Sequence, residues 1–149
     1  MPENTATVLL VDDEPMVLKI LGAVLTLHGY NVLQAEDYYA ALQAAESHGG
    51  CIDLLITDIA LPGLNGFELA RKLLQYRPEL RVLLMSGYTG SEICHYYGVE
   101  LGDLHFLEKP FKPVEFLRRL QVLASASEPY PASLSPIPRT FSAGGAKVA

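Results

Sequence analysis

The sequence predicts an α/β fold, a parallel sheet with helices on both faces. Three observations lead there. Apolar runs of strand length alternate five times with amphipathic segments of helical length. The central run holds Leu54, Leu55 and Ile56 without a polar break, as a strand covered on both faces does. And the strongest runs end on polar residues with useful chemistry, at the strand ends where sites form in such sheets.

The first strand is expected over Thr7 to Val11. A helix follows from Pro15 to Leu27, with Val17, Leu18, Leu21, Val24, Leu25 and Leu27 at helical spacing. Gly29 suits the position just beyond it, because glycine accepts positive φ. Tyr30 to Ala35 reads as the second strand. Asp37 is expected to cap a helix reaching about Ser47, and Gly49-Gly50 breaks the chain. The third strand is expected over Ile52 to Thr57 and ends at Asp58. The loop Leu61 to Gly66 leads into a helix from Phe67 to Tyr76, which Pro78 closes off. Arg81 to Met85 makes the fourth strand. Residues 87 to 103 hold four glycines and three tyrosines, with a short helix expected over Ser91 to Tyr97. Leu104 to Glu108 makes the fifth strand. The last helix runs from Val114 to Leu123, with Val114, Leu117, Leu120 and the Val122-Leu123 pair turned to the core.

The texture changes at Ser125. The last stretch has four prolines, five serines and no periodicity, and reads as a disordered tail over residues 125–149. One domain of about residues 5–124 remains, and 149 residues suit a single core.

Composition narrows the function. Half the residues are hydrophobic and 19% are charged, as in a folded domain. A net charge of −6, with eleven dispersed Lys and Arg, argues against binding nucleic acid. No run is long enough to cross a bilayer and the N-terminus lacks a signal-peptide pattern, so the expected location is cytoplasmic. Cys51 and Cys94 sit in no metal or redox motif and read as reduced thiols. His28, His48, His95 and His105 do not fall at ligand spacing.

At the strand ends stand Asp12 and Asp13 (first), Asp58 (third), Ser86 (fourth) and Lys109 (fifth), with Glu36 after the second. Taken singly, each has a plainer explanation. Asp12-Asp13 could cap a helix, Asp58 a loop, Ser86-Gly87 a turn, and Lys109-Pro110 an exposed lysine beside a breaker. Capping does not require a lysine, however, nor all of these at neighbouring strand ends. In the order 2-1-3-4-5, three carboxylates, a hydroxyl and an ammonium share one end of the sheet. Close carboxylates repel, and a hard divalent cation such as Mg²⁺ relieves this with oxygen ligands. A carboxylate beside such an ion can attack a phosphoryl group while the hydroxyl and lysine hold its oxygens.

As a set, these residues resemble the receiver domain of two-component response regulators. The resemblance rests on Asp12-Asp13, on DIALPGLNG from Asp58 to Gly66, on Ser86-Gly87 and on FLEKPF from Phe106 to Phe111. The spacings of 45, 28 and 23 residues between Asp13, Asp58, Ser86 and Lys109 fit, and the match covers about residues 5–124. It implies a flavodoxin-like receiver fold with strand order 2-1-3-4-5. It implies Asp58 as the residue phosphorylated by a histidine kinase or a histidine phosphotransfer protein. Asp13, Asp58 and the backbone carbonyl of Ala60 would hold Mg²⁺, with Asp12 acting through water. Ser86 and Lys109 would contact the phosphoryl group, and Lys109-Pro110 would be cis. Ser86 and Phe106 would form the conformational switch. Phe106 stands where the family often has Tyr, so the switch would work by packing alone. Ala60 and Tyr88, two residues beyond Asp58 and Ser86, offer no group to orient water, which implies slow self-dephosphorylation.

Two other functions compete with a phosphoacceptor module. A phosphatase with an aspartyl-phosphate nucleophile would carry DxD after the first strand, where this chain has VDDEP. An adaptor independent of phosphorylation would have no need of the complete acidic set. The output partner is not legible. SGYTG and the stretch through FLEKPF look like receivers attached to hybrid histidine kinases, so a free-standing protein and a part of a longer one both fit. Tyr96, Tyr97, Phe116 and Arg119 are candidates for a partner face.

Overall fold

The computed structural model describes residues 6–99 and 104–124. The strands are β1 (Thr7–Val11), β2 (Asn31–Ala35), β3 (Leu54–Asp58), β4 (Arg81–Ser86) and β5 (His105–Glu108). The helices are α1 (Pro15–Leu27), α2 (Tyr38–Ser47), α3 (Gly66–Tyr76), α4 (Gly90–Tyr97) and α5 (Pro113–Ala124). All strand pairs are parallel and the order is β2-β1-β3-β4-β5. The expected order therefore holds. The tail beyond Ala124 lies outside the described residues.

Alternation along the strands divides the core in two. Leu9, Val11, Leu55 and Leu84 point to the side covered by α2, α3 and α4. Val8, Leu10, Leu54, Ile56, Leu83 and Met85 point to the side covered by α1 and α5. β1, β3 and nearly all of β4 are buried on both faces, as their unbroken apolar runs require.

Several boundaries move for local reasons. β2 begins at Asn31, not Tyr30, because the Tyr30 N–H still bonds the Leu25 carbonyl and closes α1. Gly29 supplies the turn there at φ 89°. β3 begins two residues later than expected, since the Asp53 carboxylate accepts the Thr7 N–H at 2.8 Å in place of a ladder bond. α3 and α4 each begin one residue early, behind capping boxes made by Asn65 with Glu68 and Thr89 with Glu92.

Helix facing also corrects the reading. Leu27, Val114 and Val122 are exposed, whereas Phe116 is fully buried. α5 turns Phe116, Leu120 and Leu123 inward, at i, i+4 and i+7. Val114 stands two residues from Phe116, about 200° round the helix, and so meets solvent.

Candidate phosphoryl-accepting site

The parallel sheet delivers its strand ends to one rim. Asp12 leaves β1 fully buried, its N–H on the Ala35 carbonyl and its Oδ1 accepting the Glu14 N–H at 2.9 Å. Asp13 follows and is exposed. Asp58 is the last residue of β3 and only 7% exposed. Its Oδ1 accepts the Ala60 N–H at 3.4 Å, and its carbonyl accepts the Thr57 hydroxyl at 2.8 Å. Gly66 packs directly on that carbonyl, where a Cβ would collide with it. Ser86 ends β4 and is buried; its Oγ accepts the Tyr88 N–H at 2.9 Å. Its carbonyl accepts the Lys109 N–H at 2.7 Å, which fixes the start of the turn after β5. The Lys109-Pro110 bond is cis.

Lys109 gathers the acids. Its Nζ donates to Asp12 Oδ2 at 2.8 Å, Glu14 Oε1 at 3.1 Å and Asp58 Oδ2 at 3.3 Å. Burial penalises its charge, but the contacts with Asp12, Asp58 and Glu14 outweigh that and push its pKa above the ordinary lysine value. Asp58 is nevertheless pushed up from 3.8 to about 6. Burial is the largest cause, Lys109 opposes it and Asp12 reinforces it. Shared with Asp12 and Glu14, the Lys109 ammonium does not offset the burial of Asp58.

A metal has a place here. Carboxylate oxygens of Asp12, Asp13 and Asp58 lie within 4.8 Å of one another. Three hard oxygen donors with excess negative charge suit Mg²⁺, so this donor set fits such an ion. Among the described residues no histidine or cysteine joins such a group.

Five sequence-derived residues, Asp12, Asp13, Asp58, Ser86 and Lys109, thus meet at one end of the sheet, with Ala60 beside Asp58. Phe106 is half-buried against the core on the α2–α4 side, and its carbonyl accepts from Arg119 at 2.6 Å. Tyr88 is exposed and stacks on Tyr96, which meets Tyr97 edge to face; Tyr97 in turn meets Phe67. Burial, then Tyr88, Tyr96 and Asp58, raise the Tyr97 hydroxyl above its ordinary value. Of the candidates for a partner face, Phe116 is excluded by its burial. The Glu14–Lys109 contact is new. The only sequence signal for it was a third acid beside Asp12-Asp13.

Known proteins resemble this chain over most of its described length. The model of the response regulator receiver domain matches residues 8–121. The alkaline phosphatase synthesis transcriptional regulatory protein PhoP of Bacillus subtilis is 34% identical over 128 residues, 81% of this chain and 52% of that protein. The chain spans about half the length of the curated relatives it matches. Response regulator protein TrrA of Thermotoga maritima, solved in complex with Mg²⁺-BeF, is 28% identical with a TM-score of 0.66, over 80% of this chain and 99% of that one. The receiver domain of the hybrid histidine kinase CckA is 32% identical with a TM-score of 0.65, over 79% of this chain and 98% of that one.

Proposed function

This chain belongs to the response regulator receiver domain family, and on that premise we propose that Asp58 is its phosphoacceptor, charged by a histidine kinase or a histidine phosphotransfer protein. The observation that carries the assignment is the buried Asp58 carboxylate, 3.3 Å from Lys109 and gathered with Asp12 and Asp13. A carboxylate oxygen of Asp58 attacks the phosphorus of a phosphohistidine. The P–N bond breaks as the P–O bond forms, and the imidazole leaves with a proton. Lys109 offers positive charge to the phosphoryl oxygens, and the Ser86 hydroxyl donates to one of them. Asp12, Asp13, Asp58 and the Ala60 carbonyl would hold Mg²⁺, which when bound offsets the negative charge of the acids and the donor.

Ser86 sits on the turn that carries Tyr88, so its recruitment moves that turn. Phe106 is half-buried beside the adjoining strand and repacks by apolar contact alone. Ser86 and Phe106 therefore form the switch. Ala60 and Tyr88 bring no carboxylate or amide to orient water, so the acyl phosphate is long-lived. The domain comprises about residues 5–124 and acts as a signalling module in the cytoplasm. Its own chemistry extends only to self-phosphorylation from small donors and slow self-dephosphorylation. It binds no nucleic acid itself. Among the described residues no helix is long and apolar enough to cross a membrane.

Incubation with acetyl phosphate tests this. One hydroxylamine-labile phosphoryl group per chain, dependent on Mg²⁺ and absent in Asp58→Asn, is expected. Catalytic turnover of phosphomonoesters, or labelling that survives Asp58→Asn, would sink the assignment.

A further inference from the structure

Three of the five helices start behind a side-chain cap. Asp37, Asn65 and Thr89 each accept a backbone N–H from the helix they precede. Glu14 stands in the same place before α1, and its side chain does not. Its carbonyl accepts from Val17 and Leu18, while its carboxylate reaches Lys109 at 3.1 Å. Short polar side chains are the effective caps, and glutamate is not among them. The residue at this position serves the lysine rather than the helix.

An ammonium has three N–H donors. Asp12, Glu14 and Asp58 together engage all of them. In that state the lysine has no donor ready for a phosphoryl oxygen. The Asp12 side chain is fully buried and Asp58 is 10% exposed, so neither can withdraw without leaving a buried charge unpaired. The Glu14 side chain is 62% exposed and can turn into water.

We propose that Glu14 is a positioning residue that parks Lys109 in the resting site, and that its displacement by phosphoryl oxygens sets how readily Asp58 is phosphorylated. This rests on the assignment of Asp58 as acceptor. The chemical step is unchanged. With acetyl phosphate, the bond from phosphorus to the acetyl oxygen breaks, Asp58 forms the new P–O bond, and acetate leaves. Removing the Glu14 charge frees one lysine donor in advance, so labelling accelerates.

The test compares the unaltered chain with Glu14→Ser and Glu14→Gln at saturating Mg²⁺ and low salt. Both variants are expected to take label from acetyl phosphate roughly two- to fivefold faster, the factor an exposed ion pair supports. Glu14→Ser keeps or raises Tm, because serine caps well. The Lys109 ammonium resonance, followed by heteronuclear NMR without donor, is expected to shift in both variants. Unchanged or slower labelling overturns the proposal. So does acceleration with an unmoved lysine resonance, because Glu14 would then act only as a rim charge repelling the donor. If the unaltered chain takes no Mg²⁺-dependent label, the acceptor assignment fails first and this inference falls with it.

Discussion

The two ends of the sheet use their charged residues in opposite ways. At the amino ends of the strands, Arg77 donates to the carbonyls of Ala45, His48 and Gly50. Arg81 donates to the carbonyls of Leu123 and Ala124, and Asp53 accepts the Thr7 N–H. Each of these charges meets a backbone group left over where a helix ends or a ladder begins. At the carboxyl ends, Lys109 meets three carboxylates, and a fourth acid stands beside them. Polar groups satisfied by backbone hold a fold together. Like charges crowded together, with one shifted to about 6, are poised for chemistry. Size does not mark the site. The open groove of about 1010 Å³ lies at the amino end, among Asp53, Arg77 and Arg81, whose charges are already engaged.

Asp58→Asn is the harshest test of the contrast. It abolishes labelling, yet in chelator at neutral pH it raises Tm. The folded Asp58 holds its proton more tightly than the unfolded one, with about 6 against 3.8. Its contribution to stability is therefore intact below the unfolded value and lost as pH rises through about 6. Urea midpoints on either side of that window should show the two chains converging at the acid end. A less stable Asn variant at neutral pH would contradict the burial argument.

Arg77→Ala probes the other end. It removes three hydrogen bonds from a charged donor, at a cost of about 1–3 kcal/mol. The labelling rate is expected to stay unchanged. A large fall in that rate with little loss of stability would erase the division of labour.

Tyr88→Ala has a smaller effect, confined to the carboxyl end. Tyr88 is exposed but stacked on Tyr96 beside Ser86. Losing the ring admits water, so the phosphorylated lifetime shortens by a modest factor in a decay assay. A lifetime of seconds in the unaltered chain, lengthened by the substitution, would reverse the expected role.

The smallest effect is at His105, which begins β5. Burial, then Arg119 and Arg81, hold its pKa below 6.5. A base with a lowered folded value gives full stability above the unfolded value and loses it as pH falls through 6.5. His105→Gln should flatten that slope in thermal melts, leaving labelling untouched.

The chemistry was more legible in the sequence than the packing. Asp12, Asp58 and Ser86 could be placed because a parallel sheet sends every strand end to one rim, and apolar runs show where strands stop. Helix facing was harder. Met16, Ile20 and Leu27 are exposed on α1 although apolar, so its pattern does not say which side is inward. On α5, Val114 looked like core and Phe116 like surface; the register of Leu120 and Leu123 decides the reverse. The Glu14–Lys109 contact joins residues 95 positions apart. It depends on the Lys109 side chain reaching from the end of β5 across the rim to the residues after β1, with β3 and β4 between, which no local pattern encodes.

Amide NMR of the labelled protein, recorded before and after beryllofluoride and Mg²⁺ are added, tests the contrast most directly. Beryllofluoride stands in for the phosphoryl group on Asp58. Resonances of residues 12–14, 58–60, 86–89 and 106–109 are expected to shift, while those of Thr7, Asp53, Arg77 and Arg81 hold still. Shifts concentrated at the amino ends, or none at the carboxyl ends, would contradict the account.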